Sequence, residues 1–274
     1  WEKYLLPEFG RIKANQLESA PIRRFHEKNA TRPYTANRML EAVRSLYNHA
    51  IENEWLQISR NPCTSVKKYK EKKRERFLSM AEIGNLSDVL REVEQTRTES
   101  QSVINTLRLL LLTGCRVGEI LSLRWEYVDF GQSCLRLPDS KTGAKVVYIP
   151  APALEVLNSI ERIEGNPHVI IGGMKNGQLA PPQKAWQRIR KKADIEDVRL
   201  HDLRHSYASV GAASGMSLPM IGALLGHSQS QTTERYAHLI GDPMKQAANV
   251  IGDKIAAAMA GNQAEVIPIN KHYD

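Results

Sequence analysis

The sequence predicts a mainly α-helical protein of two domains. The first is small and all-helical; the second is larger, mostly helical, and carries a small antiparallel β-sheet. Three observations lead there. Apolar residues recur at three- and four-residue steps in window after window, the period of an amphipathic helix. Only two short stretches read as strands, and they flank a segment rich in turn formers. The 274 residues exceed what one small core needs, and the excess positive charge is concentrated in the first quarter of the chain.

The elements follow in order. A short helix is expected around residues 16–28. A longer one is expected over 35–55, where Met39, Leu40, Val43, Leu46, Tyr47, Ala50 and Ile51 line one side and Thr35 is a candidate N-cap. Asn61-Pro62 then breaks the chain. Residues 1–66 thus form the first domain, and the basic segment 67–76 reads as a linker. The second domain spans residues 77–274. Ser79 and Glu82 have the spacing of a capping box, opening a helix with Ile83, Leu86, Val89, Leu90 and Val93 on one face. Residues 102–112 are apolar on nearly every side, so that helix is expected at the centre. The Thr113-Gly114-Cys115 turn leads into a short helix over 117–123. Ser133–Leu137 and Lys145–Ile149 read as a hairpin whose connection, Pro138 to Gly143, carries Lys141 at or near its tip. Helices are expected at 152–162 and 182–193, and again from Leu200 onward, punctuated by Gly215, Gly226 and Gly241. A last apolar helix, about Ala247 to Met259, has Val250, Ile251, Ile255 and Met259 along one side. It packs on its own domain or docks elsewhere; the pattern alone permits both.

Composition narrows the function. The 42% hydrophobic and 25% charged fractions are those of ordinary globular protein. The longest apolar run, around Leu109 to Thr113, falls far short of the ~20 residues a bilayer requires, and no secretory leader opens the chain. A cytoplasmic protein is expected. Cys63, Cys115 and Cys134 are odd in number and widely spaced, as reduced thiols would be. The chain opens with Trp1 rather than Met, the expectation for a fragment of a longer protein. Residues 1–75 hold 16 basic and 9 acidic side chains, against 22 and 21 in the remainder. The run Lys67, Lys68, Lys70, Lys72, Lys73, Arg74 and Arg76 is either a solvated linker or a phosphate-contacting strap on nucleic acid.

Two groupings could carry chemistry. His201 and His205 lie four apart, on one face of a helix, as in zinc-metalloprotease helices. But Asp202 stands where the Glu base of that motif belongs, and Arg204 would oppose a metal. The second grouping collects Arg116, after a glycine turn at a helix start, with His201, Arg204 and His227, and Lys141 on the hairpin. Such a set suits a phosphate, because cations and donors can meet charge on its non-bridging oxygens and Arg can bond two of them at once. Tyr236 lies nine residues after His227. Alone it reads as a tyrosine packed on a helix; beside cations, a phenol can become a nucleophile toward phosphorus, although its ordinary pKa near 10 makes it a poor one.

Leu112-Thr113-Gly114-Cys115-Arg116-Val117-Gly118-Glu119-Ile120, His201-Asp202-Leu203-Arg204-His205-Ser206, Leu225-Gly226-His227-Ser228 and Arg235-Tyr236, in that order, resemble the tyrosine recombinase (phage integrase) family. Ser140-Lys141-Thr142 also falls where the family has its hairpin lysine. The resemblance covers about residues 77–260 as the catalytic domain. Ala36-Asn37-Arg38 and Asn61-Pro62-Cys63 resemble the core-binding DNA domain of prophage-type integrases. It implies that Tyr236 attacks a scissile DNA phosphate to form a 3′-phosphotyrosine. Arg116 and Arg204 hold the non-bridging oxygens, Lys141 protonates the leaving 5′-oxygen, His201 assists proton transfer at the tyrosine, and His227 bonds the phosphate. Glu119 orients Arg116. No metal and no high-energy cofactor is implied. The partners implied are double-stranded DNA at attachment sites, a homotetramer on that DNA, and accessory DNA-bending and excisionase proteins, in a bacterial, nucleoid-associated setting. The last apolar helix would dock onto a neighbouring protomer, and the two domains would clamp duplex DNA. The expected activity integrates or excises a mobile element such as a prophage or genomic island. A type IB topoisomerase would use the same site without strand exchange, and a degenerate DNA-binding relative would have lost the chemistry.

Overall fold

The computed structural model describes residues 1–71, 75–138, 143–227, 232–239, 251–253, 255, 256 and 259. The chain divides into two compact units, Trp1–Glu75 and Arg76–Asp274.

The first unit is helical: α1 (Leu5–Phe9), a 3-10 turn at Ala14–Gln16, α2 (Ser19–Lys28) and α3 (Pro33–Glu52). Its core gathers Leu5, Phe9, Ile22, Phe25, Leu40 and Val43. α3 starts earlier than its apolar stripe suggests. Arg32 is the N-cap and Pro33 the first helical residue, so Thr35 lies inside the first turn rather than capping it. Proline suits that place because its missing N–H would have had no intrahelical partner. Residues expected as linker also belong here. Buried Asn37 accepts a bond from the Tyr69 N–H at 2.9 Å and donates to the Tyr69 carbonyl and the Glu71 carboxylate, each at 2.8 Å. The Tyr69 ring stacks on His26 at 4.3 Å. Asn61 does similar work, donating to the Arg44 carbonyl at 2.9 Å and accepting from the Cys63 N–H at 2.9 Å. The two asparagines thus fasten irregular chain onto α3 by satisfying backbone groups that no ladder reaches.

In the second unit, Ser79 and Glu82 form the expected capping box, and α4 (Met80–Gln95) buries Leu86, Val89, Leu90 and Val93. α5 (Gln101–Thr113) is buried over most of its surface and is the axis of the unit. α6 (Val117–Leu121) follows the Gly114 turn. Strands β1 (Val128–Asp129), β2 (Cys134–Leu137) and β3 (Lys145–Tyr148) form an antiparallel sheet in that order, with Leu135 opposite Val147. β1 is a two-residue edge that leaves too short a pattern to read from sequence. α7 (Ala151–Asn158), α8 (Gln183–Lys192), α9 (Leu200–Ala213) and α10 (Leu218–Leu225) complete the helices, and Glu234–Leu239 forms a 3-10 segment. No helix of the described residues is long and apolar enough to cross a membrane. The three cysteines are buried and unpaired. Along the last apolar stripe, Ile251, Ile255 and Met259 are exposed, while Val250 lies outside the described residues.

Candidate active site

Glycine turns set the site. α5 ends at Gly114, whose φ of 63° is left-handed, and a Cβ there would meet the Tyr207 ring at 2.6 Å. α10 ends at Gly226, with φ of 67° and no room for a Cβ beside the Lys145 chain at 2.9 Å. Only glycine meets both conditions without strain. Each turn directs a carbonyl at the same guanidinium. Arg204, projecting from α9 and 4% exposed, donates to the Gly114 carbonyl at 2.7 Å and to the Leu225 carbonyl at 2.6 Å. Helix C-terminal carbonyls carry partial negative charge, so they hold a buried guanidinium without neutralising it. Burial, then the like charge of Arg116, lowers the pKa of Arg204. An anion between the two cations would relieve that repulsion.

Arg116 is bonded to Glu119. The carboxylate accepts from the Arg116 backbone N–H at 2.8 Å and from its guanidinium at 2.7 Å. It also accepts from Lys145 at 2.8 Å, an ion pair in which both side chains are under 10% exposed. Burial pushes the Glu119 carboxyl up, but the bonds from Lys145 and Arg116 outweigh it and hold its pKa below the usual value. Glu119 therefore remains an anion, and it buttresses Arg116 from behind.

Tyr236 sits on the 3-10 segment, 3% exposed, in a small cluster with Ala208, Ala212, Ile221 and Leu225. Its hydroxyl lies 2.5 Å from Nδ1 of His205, and His205 Nε2 lies 3.3 Å from the Arg235 guanidinium. Burial raises the Tyr236 pKa against the pull of Arg235 and Arg204. His227 bonds Thr233 Oγ1 at 2.8 Å, and burial with Arg204 and Arg116 pushes its pKa down to about 4. His205 goes down to about 3, chiefly through burial and the neighbouring His201. His201 opens to solvent at the mouth of the site, yet the protein mass behind it and the Arg204 charge lower its pKa as well.

Arg116, Glu119, His201, Arg204, His227 and Tyr236 are thus brought into one electrostatically coupled group. Lys141 lies outside the described residues, as do Lys72, Lys73 and Arg74. One expected placement differs. Among the described residues the hydrogen-bond partner of Tyr236 is His205, whereas the His201 ring packs edge-on against His205 at 4.9 Å. His205 uses its two ring nitrogens on Tyr236 and Arg235, and the surrounding guanidinium groups oppose a cation, so the pair does not form a metal site. Arg76 also differs from its expected place in a phosphate strap. It bonds Glu82 at 2.6 Å and Asp197 at 2.8 Å, and so braces the start of α4. Lys68 pairs with Glu41. Lys67 and Lys70 are exposed.

The sequence gives no role to Lys145 or Arg235, and it offers His205 only as a metal ligand beside His201 rather than as a partner of Tyr236. A signal existed for Lys145. It shares a strand face with buried Val147, and a lysine on a buried face needs a carboxylate. His205 had one too, since one helical turn separates it from His201 beside the same arginine.

A family model described as the phage integrase family matches residues 76–241. The shufflon-specific DNA recombinase of Escherichia coli is 32% identical over 216 residues, covering 76% of this chain and 52% of that protein. The integrase of Salmonella phage P22 is 27% identical over 219 residues, covering 74% of this chain and 53% of that protein. The chain thus spans about half the length of these two relatives. Among solved structures, a lambda integrase dimer bound to a COC′ core site superimposes with a TM-score of 0.64 at 16% identity, covering 84% of this chain and 86% of that one. XerH site-specific recombinase bound to a palindromic difH substrate gives 0.67 at 17% identity, covering 91% and 76%. At such identities the likeness is one of fold.

Proposed function

The chain belongs to the phage integrase family, and from that premise we propose that it is a site-specific DNA recombinase that breaks and rejoins strands through a 3′-phosphotyrosine. The observation that carries this reading is the buried phenol of Tyr236 bonded to His205, next in the helix to buried Arg204, whose guanidinium is held only by helix-end carbonyls. A binding module has no use for a tyrosine held among cations.

In this reading Arg116 and Arg204 bind the two non-bridging oxygens of the scissile phosphate, and His227 donates to one of them. The Tyr236 oxygen attacks phosphorus as the bond to the 5′-oxygen breaks. Lys141 gives its proton to that oxygen, and His201 assists removal of the phenol proton. Glu119 and Lys145 keep Arg116 in place. The phosphotyrosine conserves the bond energy, so a 5′-hydroxyl from another strand can reverse the step. Fixed cations supply the charge stabilisation throughout.

The basic first unit, with exposed Lys67 and Lys70 and with Lys72, Lys73 and Arg74 in its last stretch of sequence, would contact the DNA backbone. It is read as the core-binding domain and the second unit as the catalytic domain. The exposed Ile251, Ile255 and Met259 suit docking on a neighbouring protomer in a tetramer on DNA. Accessory bending and excision proteins belong to the same proposal, as do a nucleoid setting and integration or excision of a mobile element as the task.

The test is product topology. Supercoiled plasmids carrying two copies of the recognition site should yield inverted or resolved products, and one-site plasmids should yield none. Relaxation of a plasmid with one site, without recombinants, would favour a topoisomerase.

A further inference from the structure

His205 lies where the phosphate chemistry as described gives it no task. It sits on α9, one turn beyond His201 and next to Arg204, with both ring nitrogens engaged. On one side Nε2 is 3.3 Å from an Arg235 guanidinium nitrogen; on the other Nδ1 is 2.5 Å from the Tyr236 hydroxyl. A guanidinium has donors and no acceptor, so the nitrogen facing Arg235 must offer a lone pair. A neutral imidazole carries one proton, which must then sit on Nδ1. The phenol oxygen is therefore the acceptor in the short bond.

We propose that His205 is a hydrogen-bond donor to the nucleophile: Arg235 fixes its tautomer, and Nδ1–H donates to the Tyr236 oxygen. The inference rests on the recombinase reading and adds a residue to it. The arrangement does three things. It holds the phenol in one orientation. It leaves the hydroxyl proton to point away from His205, toward whatever base removes it. It also stabilises charge on the oxygen in both directions of reaction, as the tyrosine becomes a nucleophile in cleavage and a leaving group in rejoining. The neutral state this requires is the one favoured by burial, by His201, and by the surrounding Arg235 and Arg204 charges, which hold the His205 pKa near 3. Arg235 acts through His205 and is a positioning residue.

Nitrogen-15 NMR of the histidine rings in the full chain at pH 7, without DNA, reads the tautomer directly. Signals of His205 are assigned by their loss in His205→Asn. The expected result is an Nδ1–H tautomer that shifts toward Nε2–H in Arg235→Leu. An Nε2–H tautomer in the unaltered protein would overturn the proposal. Cleavage supplies the second readout, on nicked duplexes that the unaltered protein cleaves. His205→Ala is expected to slow adduct formation about tenfold, the scale of one hydrogen bond. His205→Asn carries an amide N–H close to where Nδ1 sits, and should recover most of that loss with an unchanged melting curve. Equal rates for the alanine variant and the unaltered chain would also overturn it. Absence of any Tyr236-dependent adduct would instead sink the recombinase reading, while the tautomer is still read in the free protein.

Discussion

At the level of single residues, the site is built from side chains that cannot discharge one another. Arg204 is bonded by carbonyls rather than by a carboxylate, so its full charge stays available to an anion. Arg116 has a carboxylate, but Glu119 divides its two oxygens between Arg116 and Lys145. The pair behind Arg116 therefore matters. Lys145→Met is expected to leave Glu119 with less countercharge, misplace Arg116 and slow adduct formation about 10- to 100-fold, the scale of a charge-assisted bond. An unchanged rate would remove Lys145 from the site. Lys141→Ala should slow cleavage of ordinary DNA by about 10²-fold or more, yet have little effect on DNA whose 5′-oxygen is replaced by sulfur, a leaving group that needs no proton. Equal slowing on both substrates would take the general-acid role from Lys141.

At the level of elements, glycine turns and caps do the positioning. Gly226→Ala is expected to destabilise the protein by about 1–3 kcal/mol, since it forces a side chain into left-handed backbone and against Lys145. It should also depress cleavage, because Arg204 and His227 flank that turn; a wild-type melting curve would contradict this. Ser79→Ala removes a cap that bonds only within the first turn of α4 and should cost about 1 kcal/mol of stability with cleavage intact. Most of this layer was legible in the chain. The capping box at Ser79, the all-round apolar pattern of α5, and the breaks at Gly114 and Gly226 are local signals, and local signals survive without coordinates. Two kinds of feature were not legible. The edge strand β1 is too short to show a period. The Tyr236–His205 bond and the Arg76–Asp197 pair join residues 31 and 121 positions apart, and nothing in spacing says which of two histidines on one helix face will meet a distant tyrosine. The order of the family's motifs names candidate residues but not this internal wiring.

At the level of the whole molecule, the neutral histidines couple stability to pH. His205 and His227 have folded-state pKa values of about 3 and about 4, below the ordinary 6.5 of an unfolded chain. The unfolded state therefore binds protons first as pH falls, and stability must decline below about pH 6.5. The melting temperature should drop between pH 6.5 and 5, above the range where Glu119 and the other paired carboxylates titrate, and drop less in His205→Asn. A flat profile over that interval would contradict neutral, buried imidazoles. DNA binding should weaken steeply with salt, through the basic first unit, and should do so equally with and without the Tyr236 hydroxyl. The central claim is that this hydroxyl becomes covalently joined to DNA. Nicked duplexes bearing the recognition site, incubated with the protein and with Tyr236→Phe, then run on denaturing gels, test it most directly. The expected result is a protein–DNA adduct from the unaltered chain alone, with both proteins binding the duplex alike. An adduct of equal yield from Tyr236→Phe would contradict the account.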